Sequence, residues 1–314
     1  VRDYENLALS DAYMQTRELA PDLFYNIKYT WKQVLPIAER ATFDEIKSYE
    51  SSLFNRTYLE AMVYGDYVEE DAKKVLSVFK SKTKTEGISK EDAFELSYLN
   101  MSKPESVQYV DKLLVNNSCF FRMYEIGKDS PKTRALAALI SKAVEQPFYT
   151  EMRTNQQLGY IVGSYPMNYD ETYYLNFLIQ SGDYPADDLN NRANTFISST
   201  PKIVEELTDE TFQRLIDSAI ERLERKPMSI SERAMKNKNL IFEHNKDFER
   251  DNKTIEALRK VNKEEVANHL GKIISEKSRK MANILAFAEN HANKSNLKSS
   301  FADLEGWKST KIYD

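Results

Sequence analysis

Apolar residues recur every three or four positions along much of the chain, and that spacing predicts helices. Residues 7–19 carry scattered apolar positions ahead of Pro21, which is expected to end their helix. Phe24, Ile27, Trp31 and Leu35 follow at intervals of three or four and fall on one helical face. In Thr42-Phe43-Asp44-Glu45 the hydroxyl and the carboxylate can each satisfy an orphan backbone N–H, so a helix should start at Phe43 and run to about Asn55. β-branched and aromatic residues become frequent over 57–64 before Gly65-Asp66, predicting a strand, with a helix over 69–79 behind it. Residues 81–91, rich in Lys and Thr and without a period, read as a linker.

Beyond the linker the pattern alternates between periods. Residues 107–114 and 119–126 are short extended runs, and Pro131 sits where a helix would begin. Ala135, Leu136, Leu139, Ile140, Ala143 and Val144 then give that helix a strongly apolar face. Pro147 should interrupt it, leaving a second helical piece that closes at Gly159 as a C-cap. Two β-rich runs, 160–167 and 172–180, flank Asn168-Tyr169-Asp170-Glu171 and predict an antiparallel hairpin. Helices follow from Pro185 to about Leu207, from Thr208 through Phe212, Ile216 and Ala219, over 231–245, and over 263–274 behind Asn262-Lys263-Glu264-Glu265. Residues 281–288 form a last strand. This order is that of an α+β fold, an antiparallel sheet covered on one face by helices.

The 314 residues suffice for about two domains. No apolar run approaches the roughly 20 residues of a membrane span. With 8 glycines there is no G-x-G-x-x-G or Walker-type phosphate loop, and a net charge of −5 leaves no basic face for nucleic acid. Cys119, flanked by Phe120 and Phe121, reads as inert packing within a strand. The opening Val1-Arg2-Asp3-Tyr4 has neither an initiator Met nor a leader, so the chain reads as a piece of a longer protein whose export stays open. His244, His269 and His291 have no second histidine at helical spacing, so no metal is expected in this chain. There is no G-x-S-x-G elbow and no Cys–His nucleophile, and Glu264-Glu265 and Asp187-Asp188 favour helix starts. No catalytic residue is predicted.

Arg153-Thr154-Asn155-Gln156-Gln157-Leu158-Gly159-Tyr160 resembles the R-T-x-x-Q-L-G-Y motif in the fourth and last domain of the insulinase/pitrilysin family of zinc peptidases. Asn116-Asn117-Ser118-Cys119 before a strand, Gln180-Ser181 closing the hairpin, Phe248-Glu249-Arg250-Asp251-Asn252 and Glu305-Gly306-Trp307 extend the likeness. Met62-Val63-Tyr64-Gly65-Asp66 resembles a strand of the preceding domain. The resemblance implies two tandem insulinase-type units, the first incomplete: the C-terminal part of a third domain over 1–81, a linker over 82–106 and a fourth domain over 107–314. Such enzymes are clamshells of four homologous α+β domains around a chamber, with zinc on an inverted H-x-x-E-H motif of the first domain. This chain lacks that motif.

By implication it is a non-catalytic C-terminal half with no cofactor of its own. Zinc is expected in the full-length enzyme, and the partners are an N-terminal catalytic half and peptide substrates. The alternative is an inactive peptidase-like scaffold or partner subunit used for protein assembly. In the family the residues matching Arg153 and Tyr160 hold substrate carbonyls or the developing oxyanion; read from the residues alone, Arg153 pairs with Glu151 or a neighbouring carboxylate on the surface and Tyr160 is a half-buried strand residue. Gln157, Leu158 and Gly159 read as scaffolding, with Gly159 permitting a chain reversal. Tyr165, Tyr169, Tyr173 and Tyr174 form a candidate aromatic lining for peptide side chains. An incomplete first unit should leave apolar surface uncovered and favour a homodimer. The family's exported bacterial members point to the periplasm, with the cytoplasm as the alternative.

Overall fold

Five strands form one sheet in the computed structural model, which describes residues 1–292 and 295–313. Asn293, Lys294 and Asp314, inside the span 107–314, lie outside the described residues. The strands are β1 (Glu105–Lys112), β2 (Ser118–Lys128), β3 (Val162–Tyr169), β4 (Thr172–Ser181) and β5 (Lys280–Phe287), in the order β1-β5-β2-β4-β3. Around them lie α1 (Ala12–Phe24), α2 (Pro131–Tyr149), α3 (Ala186–Glu205), α4 (Asp209–Glu224), α5 (Arg250–Leu258) and α6 (Lys263–Ile274). The α+β class holds, with one change of direction: β1 and β5 pair in parallel, Glu105 opposite Lys280 through Lys112 opposite Phe287, while the other three pairings of this sheet are antiparallel.

Strand alternation divides the apolar residues between two cores. From β2, Phe120, Tyr124 and Ile126 point into the core beneath α2 to α6, whereas Cys119, Phe121 and Met123 point into a second one. Leu19, Leu23 and Phe24 of α1 fill that second core with Leu99 and Met101, and Trp307 packs against it. The sheet is therefore covered on both faces, not on one. The central strands are correspondingly near-continuous apolar runs, because neither face meets water.

Caps fix the helix starts. Ser130 Oγ accepts from Thr133 N at 3.0 Å with Pro131 at the first helical position, and Asn262 Oδ1 accepts from Glu265 N at 2.9 Å. Thr42 and Glu45 make the reciprocal box at the start of the Phe43–Ser52 helix. The hairpin forms between β3 and β4, tighter than expected, since Tyr169 already pairs with Thr172 and only Asp170 and Glu171 turn.

Other expectations fail for identifiable reasons. Pro21 lies inside α1, and the earlier break falls between the Arg2–Ala8 helix and Ala12. Phe24 and Ile27 do not share a helix with Leu35, because Tyr25 bridges Tyr98 as extended chain and the next helix starts at Trp31. The strand expected over 57–64 reduces to Arg56–Thr57, paired in parallel with Glu86–Gly87 within the supposed linker. The Arg250–Leu258 helix was not anticipated.

Spatially, residues 2–31, 97–225 and 249–314 form one compact unit and 32–96 with 226–248 another, Val1 grouping with the latter. The second unit holds the helices Phe43–Ser52, Glu69–Thr83 and Ile230–Phe242. The first two bury no side chain, and the third buries only Leu240.

Candidate functional site

Pro147 does not interrupt α2, which continues to Tyr149 and widens into a π-helical turn, Thr150–Asn155. A proline removes a backbone donor, and the wider turn re-spaces the carbonyls beyond it: Gln156 N donates to Glu151 O at 2.9 Å and Leu158 N to Met152 O at 3.0 Å. Arg153 stands on this turn. The chain then leaves the helix through Gln157, the residue with positive φ (52°), so the left-handed position lies two residues before the expected glycine. Gly159 has a different task. A Cβ there would lie 1.9 Å from Gln180 O, so only glycine lets the helix exit press against the end of β4. Leu158 is fully buried and anchors this exit, as expected.

Tyr160 follows, 81% exposed, and the Arg153 guanidinium carbon lies 5.2 Å from its ring centroid. The two residues singled out in the sequence are thus in contact. Glu151 is not Arg153's counter-ion: its carboxylate accepts from Asn155 Nδ2 at 2.8 Å and Gln156 Nε2 at 2.9 Å, and these bonds hold its carboxyl below the usual carboxylate range. Arg153 Nε is buried with no hydrogen-bond partner. A guanidinium over an exposed phenol ring brings two kinds of hydrogen-bond donor close together.

A second arginine joins this region without having been singled out. Arg192 of α3 donates from Nη1 to Gln156 Oε1 at 3.1 Å, pairs with Asp188 at 3.0 Å and lies 4.7 Å from the Tyr184 ring. Its one sequence signal is the i, i+4 spacing from Asp188.

The tyrosines of the hairpin do not form a peptide-gripping patch. Tyr169 and Tyr174 are buried against Phe24, each at 4.9 Å between centroids, because α1 covers their face of the sheet. Tyr165 is half-buried beside Arg17, and the Tyr173 hydroxyl, on the opposite face, accepts from Arg250 at 3.0 Å. Cys119 is fully buried, and burial pushes its thiol up to about 12. His269 donates from Nε2 to Ile126 O at 2.9 Å, and His291 contacts Ser118 Oγ at 2.9 Å. Among the described residues no group of three or more His, Cys, Asp or Glu could hold a metal ion, and no helix is long and apolar enough to cross a membrane.

A family model described as PQQ synthase PqqF-like, C-terminal lobe domain 4, matches residues 139–238. Insulin-degrading enzyme of Homo sapiens is 25% identical over 250 residues, 78% of this chain and 24% of that protein. Protease 3 of Escherichia coli O157:H7 is 22% identical over 278 residues, 88% of this chain and 28% of that protein. The chain spans about a quarter of the length of these curated relatives. In fold it resembles the crystal structure of pitrilysin, with a TM-score of 0.85 at 18% identity over 100% of this chain and 34% of that one. A peptidase M16 inactive domain from Pseudomonas fluorescens gives a TM-score of 0.58 at 13% identity, over 91% of this chain and 69% of that one. The curated relatives are an insulin-degrading enzyme and a protease, the matching family model describes a C-terminal lobe, and the two solved structures share the fold.

Proposed function

From homology to insulin-degrading enzyme and protease 3, we propose that this chain is the C-terminal half of a zinc peptidase. In this reading it closes the chamber and positions peptide substrate for a zinc site carried by an N-terminal half. Residues 1–81 are then the end of a third insulinase-type domain, 82–106 the connection and 107–314 the fourth domain. Zinc belongs to the full-length enzyme. The observation that carries the reading is the contact between Arg153 and the exposed Tyr160, held in place by the buried Leu158 and the close approach at Gly159. Donors fixed to a rigid scaffold stabilise charge that builds on a carbonyl oxygen without having to reorganise at that moment.

The test is complementation. Mixed with a separately prepared N-terminal half, this chain is expected to restore peptide cleavage, and Arg153→Ala or Tyr160→Phe to lower turnover by roughly 10²–10³ while leaving association of the halves unchanged. Association without cleavage would sink the proposal. The likeness to an inactive domain favours a second reading, an assembly scaffold or partner subunit, for which both substitutions would leave function unchanged. The periplasm is the compartment attached to the first reading, with the cytoplasm as the alternative, and cell fractionation of the full-length protein distinguishes them.

A further inference from the structure

Arg122 lies in the middle of β2, 4% exposed. Its Nε donates to Asn283 Oδ1 of β5 at 3.0 Å and its Nη2 to Asn190 Oδ1 of α3 at 2.6 Å; Nη1 donates to the Tyr124 hydroxyl at 3.2 Å and to Asn194 Oδ1. The Phe120 ring centroid is 5.1 Å from the guanidinium carbon. Every one of these partners is neutral. Arginines this deeply buried normally face a carboxylate, since an uncompensated interior charge is costly. Here four amide and hydroxyl oxygens satisfy hydrogen bonds but leave the charge unanswered, and one Nη2 proton is left over.

The guanidinium lines a cavity of about 730 Å³ bounded by β1, β2, β5, α3 and the end of α6. That volume lies within the range of small-molecule sites and far exceeds what an inorganic oxyanion fills. Because Asn190 and Asn194 turn their oxygens toward Arg122, their Nδ2 groups remain as donors for an incoming acceptor. Arg279 also lines the cavity, donating to Ser106 Oγ at 2.9 Å, with Glu276 3.7 Å from its Nη1. Two guanidinia against one carboxylate leave a single positive charge, which a monoanion balances and a dianion would overshoot. Ile197, Ile274 and Met281 supply apolar wall.

We propose that this cavity binds a small monocarboxylate with a short apolar tail, its carboxylate lodged beside Arg122 and the Asn190 and Asn194 amides. This inference stands independently of the peptidase reading. Hexanoate and 3-phenylpropanoate, titrated into the full chain by calorimetry and thermal shift, are expected to bind saturably and raise Tm. Hexanol should do neither, and acetate and inorganic phosphate should bind at least about tenfold more weakly.

Asn194→Asp places a carboxylate beside Arg122 from an exposed position; it should cut hexanoate affinity by about tenfold or more while keeping or raising Tm. Arg279→Gln, at a half-buried site, should weaken binding several-fold. Neither variant removes Arg122, so the decision does not depend on whether Arg122→Gln folds. The proposal is overturned if neither carboxylate binds, if hexanol, acetate or phosphate matches them, or if Asn194→Asp binds hexanoate as the parent does.

Discussion

Asp22, on α1, is 1% exposed and neither of its carboxylate oxygens has a hydrogen-bond partner. Burial pushes its pKa up to about 7 against the pull of Lys308 and Lys28. The folded pKa therefore exceeds the unfolded value of 3.8, so the folded state holds the proton more tightly. The associated stability is full below about pH 4 and is lost as pH rises through about 7. Asp22→Asn is expected to remove this dependence and to stabilise the protein at pH 8 by roughly 2–4 kcal/mol, read from thermal unfolding at pH 5 and pH 8. A pH dependence unchanged by the substitution would contradict the assignment. The sequence offers no hint of Asp22: Glu18 and Lys28 are near it in the chain, but Lys308 and Glu305 reach it from the far end. Arg153 and Tyr160 were singled out by the resemblance of their motif, not by the residues alone, and their contact forms within eight consecutive residues. Arg122 carried a weak signal, a cation inside the apolar run of β2, but its asparagine partners lie about 70 and 160 positions away.

Between elements, one carboxylate ties three pieces of the first core together. Asp129, between β2 and α2, accepts from Arg134 of α2 at 2.7 and 2.9 Å and from Arg250 of α5 at 2.7 and 3.0 Å, and Arg250 also reaches Tyr173 of β4. Burial alone would raise the Asp129 carboxyl, but the hydrogen bonds from Arg250 and Arg134 outweigh it and hold it below the usual range. Asp129→Ala leaves two mostly buried guanidinia facing each other and is expected to cost about 3–5 kcal/mol in urea unfolding. A loss near that of an ordinary surface substitution would show that water already compensates the cluster. Individual elements were readable from local chemistry: the capping patterns at Thr42 and Asn262, Pro131 at the first position of α2, and the hairpin. Their assembly was not. β5 inserts between β1 and β2 from about 150 positions downstream, and α1 crosses to a sheet whose strands begin some 80 residues later, so no window of local periodicity contains either pairing.

At the scale of the molecule the two units differ in how they treat apolar surface. The unit with the sheet buries both of its cores. In the unit of residues 32–96 and 226–248, Phe43 is 76% and Phe94 71% exposed, and Ile46, Tyr49, Tyr67 and Val75 are exposed as well. Phe43, Ile46 and Tyr49 are spaced three apart on one helix, so they form a stripe and not a scatter of single residues. Contiguous apolar stripes of this kind are surfaces that another chain covers. The isolated chain is therefore expected to self-associate, with a light-scattering mass that rises with concentration above that of a monomer. Replacing Phe43, Ile46 and Tyr49 together with Ser should return it to a monomer with little change in Tm, because these side chains stabilise no core of their own and their burial is gained only on association. If the parent chain stays monomeric at every concentration, the stripe is tolerated by water and is not an interface. If the triple variant still associates, the contact surface lies elsewhere on the chain.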